Sequence, residues 1–252
     1  MERLSTGIKG LDSLIQGYPK GRAILVAGES GAGKTIFGLQ FLTSCCEAGV
    51  TSVYISMEER PEDLKAQAMS FGWDLADYEH KGLLRIVDLL ERRMGWVEDA
   101  ATHGLEKPYK SLIKIVSEIY EERRLCALPI SGVQKEKKAV PDVVILDNIG
   151  VFAMGISTPE LREQLDTLVF KLSGLGCTSL IISDDAVAKM SQDIMLYSVY
   201  GAIRLRKRDN PYTSKRERVM DIIKIRNTKI PLDYLLFDIT DKGIELIVKS
   251  ED

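Results

Sequence analysis

Gly28-Glu29-Ser30-Gly31-Ala32-Gly33-Lys34-Thr35 fits the phosphate-loop pattern GxxxxGKT without a mismatch. The glycines let the backbone turn sharply and approach a ligand closely. The backbone N–H groups of such a loop, and the helix N-terminus behind it, point at an anion. Lys34 has the reach for outer phosphates, and the Thr35 hydroxyl is a hard oxygen ligand suited to Mg²⁺. The candidate nucleotide-binding set is Gly28, Glu29, Ser30, Gly31, Ala32, Gly33, Lys34, Thr35 and Ile36, with Lys34 also a catalytic candidate. A nucleoside triphosphate, taken as ATP with Mg²⁺, is the expected ligand.

Hydrolysis needs more than a phosphate cradle. Val143-Val144-Ile145-Leu146-Asp147 is an apolar run ending in a carboxylate. At the carboxyl end of a parallel strand, Asp147 would face the ligand crevice and join Thr35 as a metal-holding candidate. Ser52 to Glu59 is a second such run, ending in Glu58-Glu59. Either carboxylate could orient and deprotonate a water in line with the terminal phosphate. The pair reads equally well as the acidic start of a helix, because Pro61, Glu62 and Asp63 follow. Near the C-terminus, Lys224 and Arg226 stand two apart on a strand and so share a face. They could grip phosphate or carboxylate oxygens, or simply form an exposed basic strand face. A further cluster, Arg204, Arg206, Lys207, Arg208, Lys215, Arg216 and Arg218, flanks a turn; it reads as a solvated hairpin before a nucleic-acid contact.

The elements that would carry these residues follow from periodicity. Apolar runs at 23–27, 52–57, 83–89, 143–147 and 179–183 predict strands. Helical spacing at 35–47, 61–71, 109–124 and 159–174 falls between them. That alternation predicts an α/β fold, a mainly parallel sheet flanked by helices. After position 199 the rhythm changes to short-linked runs at 200–206, 218–226, 233–239 and 243–248, predicting a C-terminal antiparallel extension. Residues 92–142 are the least regular and read as an insertion, with a helical stripe at Leu112, Ile115, Val116 and Ile119.

A length of 252 residues suits one domain over 1–252. The net charge of -3 supplies no bulk pull toward nucleic acid. No apolar stretch approaches membrane-spanning length, and Met1-Glu2-Arg3-Leu4-Ser5 lacks the apolar core of a signal peptide, so a cytoplasmic location is expected. Cys45, Cys46, Cys126 and Cys177 match no metal spacing and read as buried thiols. His80 and His103 have no partner at ligand spacing.

With these motifs in order, the chain resembles the KaiC-like branch of the RecA ATPase superfamily. The resemblance is carried by Leu4-Ser5-Thr6-Gly7-Ile8-Lys9-Gly10-Leu11-Asp12, the phosphate loop, Glu58-Glu59, Phe71-Gly72-Trp73-Asp74-Leu75, Asp147 and Lys224-Ile225-Arg226-Asn227-Thr228. It covers most of the chain except 92–140. It implies that one of Glu58 and Glu59 is a water-activating base. It implies too that Lys224 and Arg226 reach the γ-phosphate bound by a neighbouring subunit, so that ATP sits between subunits of a homo-hexameric ring. Three places depart from the pattern: Asn148 after Asp147, Ser183-Asp184-Asp185, and Val199-Tyr200-Gly201-Ala202. Only one ATPase unit is present and no adjacent Ser-Thr pair stands in the matching region, so neither clock function nor autokinase activity is expected. The function expected is a ring-forming regulatory or signalling ATPase with slow hydrolysis. The alternatives are a recombinase-like DNA-associated ATPase and a non-hydrolysing ATP-sensing scaffold.

Overall fold

The computed structural model describes residues 1–90, 140–153, 156–211 and 214–247. The stripe and insertion expected within 92–139 lie outside the described residues. The elements in chain order begin with β1 (Arg3–Leu4), α1 (Lys9–Ile15), β2 (Tyr18–Pro19), β3 (Ala23–Gly28) and α2 (Lys34–Glu47). There follow β4 (Ser52–Ser56), α3 (Pro61–Met69), α4 (Leu75–His80) and β5 (Leu84–Asp88). Next come β6 (Val143–Asp147), α5 (Gly150–Ala153), α6 (Thr158–Gly174), β7 (Thr178–Asp184) and α7 (Lys189–Ser198). The last are β8 (Gly201–Asp209), β9 (Arg216–Ile225), β10 (Leu235–Thr240) and β11 (Gly243–Leu246).

Strands β3 to β11 form one nine-stranded sheet in the order β11-β10-β9-β8-β3-β7-β6-β4-β5. The run from β8 to β5 is parallel, and β8 to β11 pair antiparallel. This is the expected α/β sheet with its antiparallel C-terminal extension. Every residue of β3, β4 and β6 is buried, as expected of parallel strands covered on both faces.

Strand alternation divides the apolar residues between two cores. On one face Ile24, Val26, Tyr54, Ile145 and Ile182 pack with Phe37, Leu39 and Phe41 of α2. On the other, Leu25, Ile55, Leu146 and Ile181 meet Leu161, Leu165, Leu168 and Leu172, spaced at helical intervals along α6. Ser157 caps α6 by accepting from the Glu160 N–H at 3.4 Å, with a proline in the first turn. Helix α2 sits close to the sheet because Gly38 faces it: a Cβ there would lie 2.8 Å from Ile182 Cδ1.

Four helices were not foreseen in outline. Helices α1, α4 and α5 are short. Helix α7 buries only Ser191 and Met195, while Met190 and Tyr197 are exposed on it. Helix α4 is capped by Asp74, which accepts from the Asp77 N–H at 3.1 Å. Phe71 and Trp73 stack at 4.9 Å between centroids, and a Cβ on Gly243 would lie 2.7 Å from the Trp73 ring. The Gln40 side chain donates to Gly7 O at 2.9 Å and accepts from Ile244 N at 2.7 Å. The entry segment, α2 and β11 are thus tied together through one amide.

Candidate functional site

Parallel strands carry their carboxyl ends to one edge of a sheet, and register decides which residues meet there. Gly28 of β3 is beside Asp184 of β7, and Ser56 of β4 is beside Asp147 of β6. The Met57 N–H donates to Asp147 O at 2.7 Å, extending that pairing toward Glu58. The loop, the Glu58-Glu59 turn, Asp147 and Asp184 therefore share one rim.

Within the loop, Gly31 and Gly33 take φ of 72° and 101°, which favours glycine. A Cβ on Gly33 would also lie 2.9 Å from Ile239 Cδ1, a residue of β10 packed over the loop. Gly33 is the residue before α2, and its carbonyl accepts from Phe37 N at 2.9 Å. Lys34 is 8% exposed. Its ammonium donates to Gly28 O at 3.1 Å, to Glu29 O at 2.9 Å and to Asp184 Oδ1. The Asp185 N–H also donates to Gly28 O, at 3.0 Å, fastening the end of β7 to the start of the loop.

Asp147 is buried, and its Oδ2 accepts from the Tyr54 hydroxyl at 2.5 Å. Burial raises its carboxyl above the ordinary aspartate value; hydrogen bonds from Tyr54 and Thr35 and the Lys34 charge pull the other way, and Glu58 adds to the rise. Glu59 is half-buried, and its carboxyl is raised by burial first, then by Asp147, Glu58 and Asp63. Glu58 is exposed and accepts from Asn148 Nδ2 at 3.2 Å. Carboxyls pushed upward together mark a place where negative charge is in excess and a cation is favoured. Among the described residues no three His, Cys, Asp or Glu side chains converge as a ligand set. The donors present, one buried carboxylate and one hydroxyl, fit an ion completed by water and phosphate oxygens, the usual manner of magnesium.

The structure brings some cationic candidates to this rim and not others. Lys207, two residues past the Leu205 partner of Gly28, donates from Nζ to Ser30 O at 2.7 Å. Lys224 and Arg226 lie elsewhere. Ile225 pairs with Gly201, and Gly201 with Ile24, so they sit at the opposite edge of the sheet from their own loop. The four steps from Ile24 to Gly28 span about 13 Å. Arg226 lies just past the end of β9, and Lys224 is lowered in pKa by burial and by the Arg226 charge. Arg3 fixes the segment that follows, donating from Nη2 to Thr228 Oγ1 at 2.8 Å.

Tyr54, Asn148, Asp184 and Lys207 were not singled out as site residues from sequence. For Tyr54 a signal existed: a tyrosine between Val53 and Ile55 in a strand needs a partner for its hydroxyl when buried. For Asn148 and Asp184 the signal was their departure from the family pattern.

A family model described as "ATPase: KaiC" matches residues 4–251. The chain belongs to the KaiC ATPase family. A UPF0273 protein of Thermotoga maritima is 31% identical, with 100% of this chain and 98% of that one covered. The circadian clock protein KaiC3 of Synechocystis is 30% identical over 100% of this chain and 48% of its own length. The crystal structure of a KaiC-like protein from Pyrococcus horikoshii superposes with a TM-score of 0.76 at 26% identity, covering 98% of this chain and 99% of that one. Membership of an ATPase family implies nucleotide binding, which the P-loop, at the rim with Asp147, is built to provide. No helix among the described residues is long and apolar enough to cross a membrane.

Proposed function

We propose that the chain is a Mg²⁺-dependent ATPase that hydrolyses slowly and works as a ring-forming regulator. The observation that carries this reading is the convergence of Lys34, Thr35, Asp147, Glu58 and Glu59 on one rim of the sheet. Gly28 to Ile36 cradle the phosphates through backbone N–H groups, and Lys34 supplies positive charge. Thr35 and Asp147 would hold the magnesium ion, which neutralises charge on the phosphate oxygens when bound. One of Glu58 and Glu59 orients and deprotonates the attacking water; burial and the neighbouring carboxylates keep Glu59 more basic than a free carboxylate, as a general base requires.

Lys224 and Arg226 cannot serve their own loop from the far edge of the sheet. In a head-to-tail ring that edge would face the neighbouring site, and the pair would stabilise charge there in trans. A homo-hexamer with ATP between subunits is the assembly this supports.

The basic hairpin favours the regulator over a DNA-associated ATPase, because much of its charge is spent internally. Arg208 pairs with Glu217, Arg216 with Asp209, and Arg218 with Asp238. Arg204 lies 3.8 Å from Asp185.

Calorimetric titration with ATP and Mg²⁺, followed by phosphate release, tests the reading. Wild type binds and turns over; Lys34→Ala does neither. Equal binding by Lys34→Ala counts against the site.

A further inference from the structure

Lys34, Asp184, Asn148 and Glu58 form one hydrogen-bonded run across the rim. Lys34 donates to one oxygen of Asp184, and Asn148 Nδ2 donates to the other. The same Nδ2 donates to Glu58 Oε2 at 3.2 Å. The amide orientation is set by its other end, since Asn148 Oδ1 accepts from the Gly150 N–H at 2.8 Å. The phosphate-loop lysine is thereby connected to a candidate base through two residues that the loop pattern does not require.

An ammonium has three donors. Those of Lys34 are directed at Gly28 O, Glu29 O and Asp184. The first two acceptors are the loop's own backbone. The third is a carboxylate, and it sits on the very group that a phosphate needs. A phosphate oxygen can recruit Lys34 only by taking it from Asp184, and the two anions repel one another.

The geometry points to Asp184 as a built-in competitor for the triphosphate: its carboxylate holds Lys34 until phosphate displaces it, while Asn148 keeps hold of its other oxygen. This rests on the nucleotide-site reading above. One consequence follows from the hydrogen bonds. Apparent affinity is reduced by the fraction of molecules in which the contact is formed.

Asp184→Asn separates the two roles. It removes the charge that competes for Lys34 and keeps an oxygen for Asn148. Asp184→Glu keeps the charge on a longer stem. The full chain is titrated with a non-hydrolysable ATP analogue and Mg²⁺, and melted with and without it. If the contact is formed in roughly nine molecules of ten, Asp184→Asn binds about tenfold tighter than wild type. Its ligand-free melting temperature falls, because an ion pair is lost, while its ligand-induced rise grows. A merely structural role would lower both. Asp184→Glu, retaining the competitor, binds more weakly than Asp184→Asn. Should Asp184→Asn fold poorly, Asp184→Ser provides the same charge removal. Wild type and the neutral variants binding equally overturns the competition and leaves the nucleotide site standing. Failure of wild type and every variant to bind the analogue overturns the nucleotide site itself, and the competition with it.

Discussion

The Tyr54 hydroxyl donates to Asp147 Oδ2 at 2.5 Å, joining β4 to β6 just below the rim. Tyr54 pairs in register with Ile145, so the phenol reaches two residues along its neighbour to find the carboxylate. The bond pulls the Asp147 carboxyl down against the larger upward push of burial. Folding therefore makes the ionised form of Asp147 less favourable than it is in water.

That balance sets the sign of a stability measurement. A carboxyl raised in the folded state contributes stability when protonated, fully below the unfolded value, and loses it as pH rises through the folded value. Asp147→Asn removes the buried charge and keeps an acceptor for Tyr54. Its melting temperature without ligand is expected to equal or exceed that of wild type at neutral pH. The advantage shrinks as pH falls through the raised carboxyl. The Mg²⁺-nucleotide stabilisation is lost at the same time. A neutral-pH variant that melts well below wild type would contradict this account. Tyr54→Phe, by contrast, costs about 1 kcal/mol through loss of a buried hydrogen bond.

Glu58→Gln together with Glu59→Gln should spare ATP binding and reduce phosphate release by at least about a hundredfold, the scale of a general-base contribution. Because Glu59 is raised by burial and by neighbouring carboxylates, activity should decline with acid at a pH above the ordinary value of 4.5. A pH–rate profile checks the limb. An unchanged rate in the double variant removes both residues from the mechanism.

Mixing two inactive proteins tests the shared site. Lys34→Ala lacks a working loop and retains Lys224 and Arg226; the Lys224→Ala, Arg226→Ala double variant has the reverse deficit. Each alone should be nearly inactive. When subunits exchange at random across a head-to-tail interface, roughly a quarter of the sites become intact and turnover returns accordingly. Full activity in a monomeric double variant would rule out action between subunits.

The hairpin should bind duplex DNA no better than its remaining charge allows. Arg206→Ala with Arg208→Ala is expected to leave any weak association unchanged at physiological salt. Tight, ATP-dependent binding that falls in this variant, with a salt slope of about 0.9 per phosphate neutralised, would restore the recombinase-like reading.

The sequence made legible what depends on local pattern. The strand ending in Asp147, the loop and the antiparallel strands after 199 were readable because apolar period, glycines and turn residues all agree within short windows. Helix α7 was not, because apolar residues such as Met190 and Tyr197 are exposed on it, so apolar content there does not report burial. Register was also hidden: nothing local says that Gly28 and Asp184 are neighbours, since 156 positions separate them in the chain. The contact between Lys34 and Asp184 is a product of that pairing. The distant placement of Lys224 and Arg226 likewise comes from β9 running against β8, a fact of topology that a two-residue spacing cannot carry.

Gly38 leaves α2 almost no clearance above Ile182. A helix seated on backbone and branched side chains cannot slide along the sheet without a clash, and a packed interior resists small displacements. Whatever nucleotide does to this molecule must therefore be expressed at the strand ends, by the segments at 29–33 and 184–188, while the helix serves as a fixed anvil. Amide exchange would register this as slow, ligand-indifferent protons through the middle of α2, and as fast, ligand-responsive ones in those two loops.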